Sequence, residues 1–300
     1  SPEIAFRPWE PCDASGKPVG PPAGRLTGDE RERRMERLLK AVHAHLKRRG
    51  WAGQYVQHIA DEPNAQTQAS WSRASRRLKA WLPGVPRLDA MPATGMEGDV
   101  EIRIPLISEI RKPAPRRSPE QLWSYVCLAP QTVYPNRFLD YPSIRNRIIF
   151  WLSWSLNLKG FLHWGYNAWS AWGCPIKFPI NPWTDATAGG LYHTYPLPAG
   201  DPHIVYPGRS SICSSIRWET VRKGLEDFEV LRLLEAAAER PRKKGAPAVS
   251  RGKALLAYVR KDVARGPADY TRDPALLQAV RRQAGGVLAD LAKNQGRGAR

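Results

Sequence analysis

Apolar positions repeat with two different periods along this chain. Residues 29–49, DERERRMERLLKAVHAHLKRR, place Met35, Leu38, Leu39, Val42 and Leu46 at helical spacing, which predicts an amphipathic helix with one apolar stripe. Thr27 and Glu30 have capping-box spacing ahead of it, and Gly50 supplies the stop. The run QYVQHIA (54–60) then reads as a strand, and a Trp-bearing segment over 64–82, closed by Pro83-Gly84, reads as a helix. Short extended segments are predicted at 87–91 (RLDAM), 99–104 (DVEIRI) and 122–128 (LWSYVCL), the last two separated by the Pro/Arg-rich connector RKPAPRRSPE. SIRNRIIFWLSWSLNLKG (143–160) is apolar nearly all round, so this helix is expected to be buried on more than one side, with Ser143 as its cap. It leads into GFLHWGY (160–166), another strand candidate, and then a loop rich in Pro, Trp and Gly over 167–213.

A long helix is predicted from SIRWETVRKGLEDFEVLRLLEAAAE, with Val221, Leu225, Phe228 and Leu231 on its buried face, and two further helices beyond the connector RPRKKGAPAVSRG. Counting EIAFRP near the start, six strands alternate with helices, which implies an α/β fold with a parallel sheet or barrel. A (β/α)8 TIM-like barrel needs eight strands. The expectation is therefore an incomplete barrel over 1–239, followed by a basic C-terminal helical segment over 240–300 that packs on it or extends from it.

Charge changes this picture little. The formal net charge is +18, and residues 240–300 carry fifteen Lys/Arg against four Asp/Glu. Charge alone reports non-specific attraction, and no zinc finger, RNA-binding aromatic signature or Gly-rich phosphate loop accompanies it, so a solvated basic surface is favoured over a nucleic-acid partner. No apolar run approaches the length that spans a bilayer. Cys12, Cys127, Cys174 and Cys213 are far apart, which argues against a zinc site and leaves disulfides open. The first residues, SPEIAFRPWEP, contain neither Met nor a signal-peptide pattern, so the chain is read as starting after a cleavage or as a fragment, with no compartment assigned.

The candidate chemistry begins at IADEP. Asp61 and Glu62 end a predicted strand, immediately before Pro63. Glycoside cleavage needs an acid to protonate the leaving oxygen and a second group to stabilise positive charge on the sugar, and this dipeptide offers both. Adjacent acids also suppress each other's ionisation, which helps keep one protonated. A second reading stands beside it: acids just before a proline are favoured at a helix start by capping and by the helix dipole. Five of the twelve tryptophans fall within 151–172. Trp151 and Trp154 lie in the buried helix and read as core. Trp164, Tyr166, Asn167 and Trp169 sit at and beyond the end of GFLHWGY, where barrel sites assemble; aromatic faces stack on sugars, and packing under the long loop is the alternative. His58 and His163, inside strands, read as interior residues with satisfied hydrogen bonds.

The motifs YVQHIADEP, YPNRFLDYPSIRNRIIFWLSW, GFLHWGYNAWS, NPWTD, IVYPG and SIRWETVRKGLEDFEVLRLL resemble, in this order, the catalytic region of glycoside hydrolase family 123, from about residue 30 to 235. The resemblance implies a retaining, exo-acting β-N-acetylgalactosaminidase on a TIM-like barrel, with a β-sandwich ahead of it and no metal or organic cofactor. It further implies substrate assistance, in which the sugar's 2-acetamido oxygen attacks the anomeric carbon. By motif, Glu62 would be the general acid/base and Asp61 would orient the acetamido group. Trp164, Asn167, Trp169 and Tyr166 would form the sugar-binding wall, joined by Tyr125 and Tyr134. The acid pair belongs at the fourth barrel strand, yet one strand candidate precedes it, so strands three to eight are expected here. The missing barrel half would then come from a longer chain or an oligomer. Two rivals are a catalytically inactive glycan-binding or structural relative and, ranked last, a polyanion binder.

Overall fold

The computed structural model describes residues 28–96, 98–169, 180–187, 196–240 and 247–296. Its centre is a parallel sheet in chain order: β1 (Gln57–His58), β2 (Arg87–Ala90), β3 (Ile102–Ile104) and β4 (Gln121–Leu122). β5 (Ser124–Tyr125) pairs in parallel with β6 (Phe161–Leu162). The two sheets are continuous, because Trp123 and Tyr125 donate to Arg103 and Pro105 on the β3 side while Ser124 donates to Gly160 on the β6 side. Residues 121–125 thus act as one middle strand, and the sheet has five parallel positions. Among the described residues it stays open. The predicted strand EIAFRP and the cap residue Thr27 lie outside the described residues.

The strands are shorter than their apolar runs suggest. QYVQHIA yields only β1, because residues Ala52–Gln54 form a 3-10 turn that consumes its start. Parallel strands need crossovers, and α2 (Gln68–Trp81) and α3 (Ile144–Ser155) supply them after β1 and β5. Trp71 and Leu78 anchor α2 on Ile59 and Met91. α3 is buried nearly throughout, as its unbroken apolar pattern predicts, with Trp151 and Trp154 both in the core.

α4 (Ile216–Glu239) packs on α3 with Val221, Gly224, Asp227, Leu231 and Leu234 inward. Leu225, predicted to be buried, is exposed. The inward position one residue earlier is Gly224, where a Cβ would stand 2.5 Å from the Phe150 ring, so the helices approach through the glycine. Asp227 is buried among apolar residues and accepts from Arg147 and from Trp151 Nε1 at 2.8 Å, with Arg281 of α6 (Pro274–Gly296) 3.2 Å away. One carboxylate thereby ties three helices. α5 (Pro247–Tyr258) and α6 (Pro274–Gly296) share a single apolar core with α3 and α4 through Leu255, Val259, Leu277, Val280 and Val287. Each fully buried side chain of this kind contributes about 1.5–3 kcal/mol. Part of the basic C-terminal charge is committed within the fold, since Arg251, Arg260 and Arg281 pair with Asp290, Glu235 and Asp227.

By contrast, α1 (Gly28–Arg48) has no fully buried residue. Leu39 meets the α2 core, but Leu38 and Val42 of the predicted stripe face solvent. Ordered hairpins outside the parallel sheet, β7 (Tyr206–Pro207) with β8 (Ile212–Cys213) and β9 (Ala264–Gly266) with β10 (Asp269–Tyr270), complete the described strands.

Candidate active site

The chain leaves β1 at His58 and turns at Asp61-Glu62-Pro63. Glu62 adopts φ +42, a left-handed conformation disfavoured for a side chain with a Cβ. Such strain persists where the surroundings hold it, and it gathers at functional sites. α2 starts only at Gln68, and it is Asn64 whose carboxamide oxygen accepts from the backbone of Gln66 and Thr67. Neither acid caps the helix, so the helix-start reading of the dipeptide loses its support. Instead, Glu62 Oε1 accepts the Tyr125 hydroxyl at 2.8 Å, across from β1 to the middle strand. Burial, then the bond to Glu62 and its charge, push the Tyr125 phenol far above its ordinary range, so it remains a donor.

Asp61 is served by a second network. Asp89, fully buried on β2, accepts the Ala60 backbone N–H at 3.0 Å, Trp71 Nε1 at 2.6 Å and His58 Nε2 at 3.0 Å. His58, Asp61 and Asp89 bring their ligand atoms within 4.8 Å of one another. Burial lowers the affinity of His58 for a proton, but the bond to Asp89 and the charges of Asp89 and Asp61 outweigh it, and its pKa is raised. Burial and the neighbouring Glu62 raise that of Asp61, against the opposing pull of His58. These three residues have the donor types of a cation site. Both Asp89 oxygens and His58 Nε2 are already committed to hydrogen bonds, however, so the trio is a bonded Asp89–His58 pair with Asp61 beside it.

The aromatic strand end is built on another carboxylate. Fully buried Asp201 accepts His163 Nε2 at 3.1 Å and Trp164 Nε1 at 3.0 Å. Gly165 N–H donates to His163 Nδ1, which fixes the proton on Nε2. Burial and the adjacent Arg137 guanidinium lower the His163 pKa to about 4, so the ring is neutral. Arg137 donates to the Gly165 carbonyl, and Arg217 of α4 donates to the carbonyls of Arg137, Gly200 and His203. Burial first, then repulsion from Arg217, lowers the Arg137 pKa to about 9. Cys127, past the end of β5, feels the charges of both Asp201 and Glu62; with burial as the larger cause, its thiol is pushed up to about 11. The two networks therefore flank a common region.

The predicted wall is partly dispersed. Trp164 belongs to the Asp201 network. Trp169 turns inward, its indole N–H on the Val205 carbonyl and its ring against the Ile149–Phe150 core. Tyr166 meets Trp218 of α4 edge-on. Asn167 is exposed and its backbone pairs with His203 in an antiparallel bridge. Tyr134, half-buried in a turn, makes no side-chain bond to the acid pair among the described residues. His58 proves half-exposed beside Asp61, whereas the interior reading holds for His163. Asp89, Asp201 and Arg137 were missed as site residues. The signal available for Asp89 was a lone acid inside the apolar run RLDAM, since buried acids occur only with partners. Cys127 and Cys213 are free thiols, while Cys12, Cys174 and Trp172 lie outside the described residues.

Residues 23–234, more than half of the chain, match the family described as glycoside hydrolase 123, catalytic domain. No curated protein sequence matches. Among solved structures, similarity is found to a family 123 glycoside hydrolase from Clostridium perfringens, studied for the details of glycolipid glycan hydrolysis. The TM-score is 0.51 at 16% identity, covering 92% of this chain and 46% of that one. The likeness shows a shared fold, and the chain spans about half the length of that relative.

Proposed function

The chain belongs to the glycoside hydrolase 123 catalytic-domain family, and from that premise we propose that it removes terminal β-linked N-acetylhexosamine, probed first as N-acetylgalactosamine, by a retaining, substrate-assisted reaction. The observation that carries this reading is the acid pair itself. Glu62 is held in a strained conformation with its carboxylate on Tyr125, and Asp61 lies against the Asp89–His58 pair.

In the first step the Glu62 carboxylic acid gives its proton to the glycosidic oxygen as the bond to the anomeric carbon breaks. The acetamido oxygen of the same sugar donates an electron pair to that carbon, closing an oxazolinium ring. Asp61, as the anion, accepts the acetamido N–H and offsets the positive charge that develops there. Water then attacks the anomeric carbon, Glu62 takes its proton, and the ring reopens with configuration retained. This role requires Asp61 to be ionised, yet burial and Glu62 oppose ionisation. His58, whose proton affinity Asp89 raises, counters that opposition. The Asp89–His58 pair thus has a use in the reaction beside its part in packing, where Asp89 also holds Trp71 and the Ala60 backbone.

The test is hydrolysis of a chromogenic β-N-acetylgalactosaminide by wild type, Glu62→Gln and Asp61→Asn. Loss of a general acid costs about 10²–10⁴-fold. Wild-type rates in both variants would show the roles to be wrong.

A further inference from the structure

Exposed aromatics among the described residues differ in what holds them. Trp51, 49% exposed, carries the Arg49 guanidinium 5.1 Å from its ring centroid; Tyr166, 41% exposed, meets Trp218; Trp183 is the most exposed, at 60%. The exposure of Trp183 is not looseness. Its backbone N–H donates to Asn181 Oδ1 at 3.1 Å, and its indole N–H donates to the Pro207 carbonyl at 3.1 Å. Its ring leans on Tyr206 with centroids 4.5 Å apart and planes at 34°. Tyr206 is in turn set edge-on against the buried His203 ring, 5.0 Å away.

The only polar side-chain atom of Trp183 is therefore spent inside the protein, and the ring presents apolar π surface alone. Keeping so large a ring in water forgoes its burial free energy, and fixing it beforehand removes an ordering cost that a ligand would otherwise meet. The ligand such a surface suits has a flat C–H face and needs no hydrogen bond from the ring. A pyranose has that face.

Position narrows the choice further. His203, under Tyr206, pairs its backbone with Asn167, and Ile204 donates to the Tyr166 carbonyl. Asp201, two residues before His203, holds Trp164 and His163. The Trp183–Tyr206 pair is thus built onto the same strand end as the aromatic network, outside the direct contacts of Asp61 and Glu62. We propose that Trp183 and Tyr206 form an accessory carbohydrate platform that stacks a sugar ring of the glycan other than the N-acetylhexosamine being released. That the glycan is also a substrate rests on the glycosidase reading above; the platform itself does not.

Two substrates and one binding measurement separate the two ideas. The aryl β-N-acetylgalactosaminide has no second sugar, whereas an oligosaccharide ending in β-linked N-acetylgalactosamine does. Trp183→Ala is expected to lower kcat/KM on the oligosaccharide about tenfold, through KM, while the aryl substrate changes by less than about twofold. Trp183→Phe, which keeps a flat ring, should recover most of the loss. An unchanged rate on the oligosaccharide, or an equal loss on both substrates, would overturn the platform. If the wild type hydrolyses neither substrate, the glycosidase reading fails, and calorimetric titration with the same oligosaccharide decides the platform alone. Binding weakened about tenfold by Trp183→Ala supports it, and absent or unaltered binding overturns it. Should Trp183→Ala melt well below wild type, Trp183→Leu, bulky but without a planar face, replaces it in both arms.

Discussion

Asp89 and Asp201 are each fully buried, and each accepts one imidazole and one indole N–H, yet their histidines behave oppositely. His58 on Asp89 keeps 49% of its side chain exposed, and His163 on Asp201 keeps 3%. The next neighbour of His58 is the anion Asp61, which helps raise its pKa. The next neighbour of His163 is the cation Arg137, which joins burial in lowering its pKa to about 4. The same three side-chain types thus raise one histidine's proton affinity and leave the other a neutral strut. What decides is solvent access and the sign of the fourth residue. In the proposed reaction the first arrangement favours the Asp61 anion, and the second fixes an aromatic strand end.

The contrast can be broken most forcefully at the acid pair. Glu62→Gln should reduce activity by about 10²–10⁴-fold while thermal melting stays close to wild type, because Glu62 is exposed and strained rather than packed. Asp201→Asn should do the reverse. It leaves His163, Trp164 and the Arg137 charge without their buried anion, at a cost of about 3 kcal/mol in denaturant unfolding. Asp89→Asn lowers stability too, but it alone should move the pH dependence of kcat/KM. With less to hold its proton, His58 deprotonates at lower pH, and the basic limb shifts toward acid. Were Asp201→Asn to move that limb and Asp89→Asn not, the roles given to the two carboxylates would be exchanged.

A smaller effect separates the histidines by sign. The folded-state pKa of His163 lies below its ordinary 6.5, at about 4, so its contribution to stability is complete above 6.5 and is lost as pH falls toward 4. The loss is on the order of 3 kcal/mol. His203, lowered to about 4 by burial and Arg217, acts in the same direction. His58 is raised, so its contribution is complete below 6.5 and is lost as pH rises through its folded value. Unfolding free energies measured from pH 4 to 8 should therefore climb through the acid range, and His163→Gln should flatten that climb. An acid limb that His163→Gln leaves intact would assign it to other groups.

What the residues alone revealed follows from these contrasts. α4 was legible from its 3.6-residue apolar period, α3 from an apolar run with almost no polar face, α2 from the Pro83-Gly84 that closes it, and Asp61-Glu62 as a pair because the two acids are adjacent. The Asp89–His58 pair beneath it was not. Asp89 lies 28 positions beyond Asp61 and reaches it only because β1 and β2 are parallel neighbours, with His58 paired to Leu88. The expected wall residues are spread for a local reason: past β6 the chain leaves the strand, and Trp164, Tyr166 and Trp169 each meet a different partner, Asp201, Trp218 and Val205. Trp169 satisfies its indole on Val205 and joins the core. Leu225 was misplaced because periodicity weighs side-chain size, whereas α3 and α4 meet through Gly224.

The smallest expected effect concerns Tyr125, read from the chain as a sugar-contacting residue and found bonded to Glu62. If it positions the acid, Tyr125→Phe removes one hydrogen bond to a carboxylate that water can also reach. The loss should then be about tenfold or less in kcat, well short of Glu62→Gln. If the hydroxyl instead touches the sugar, the loss should appear in KM and should depend on which N-acetylhexosamine is offered. A decline as large as that of Glu62→Gln would mean that the phenol takes part in the chemistry. Its pKa, raised by burial and by Glu62, keeps it protonated across the working pH range, so such a part would have to be donation of a hydrogen bond and not loss of the proton.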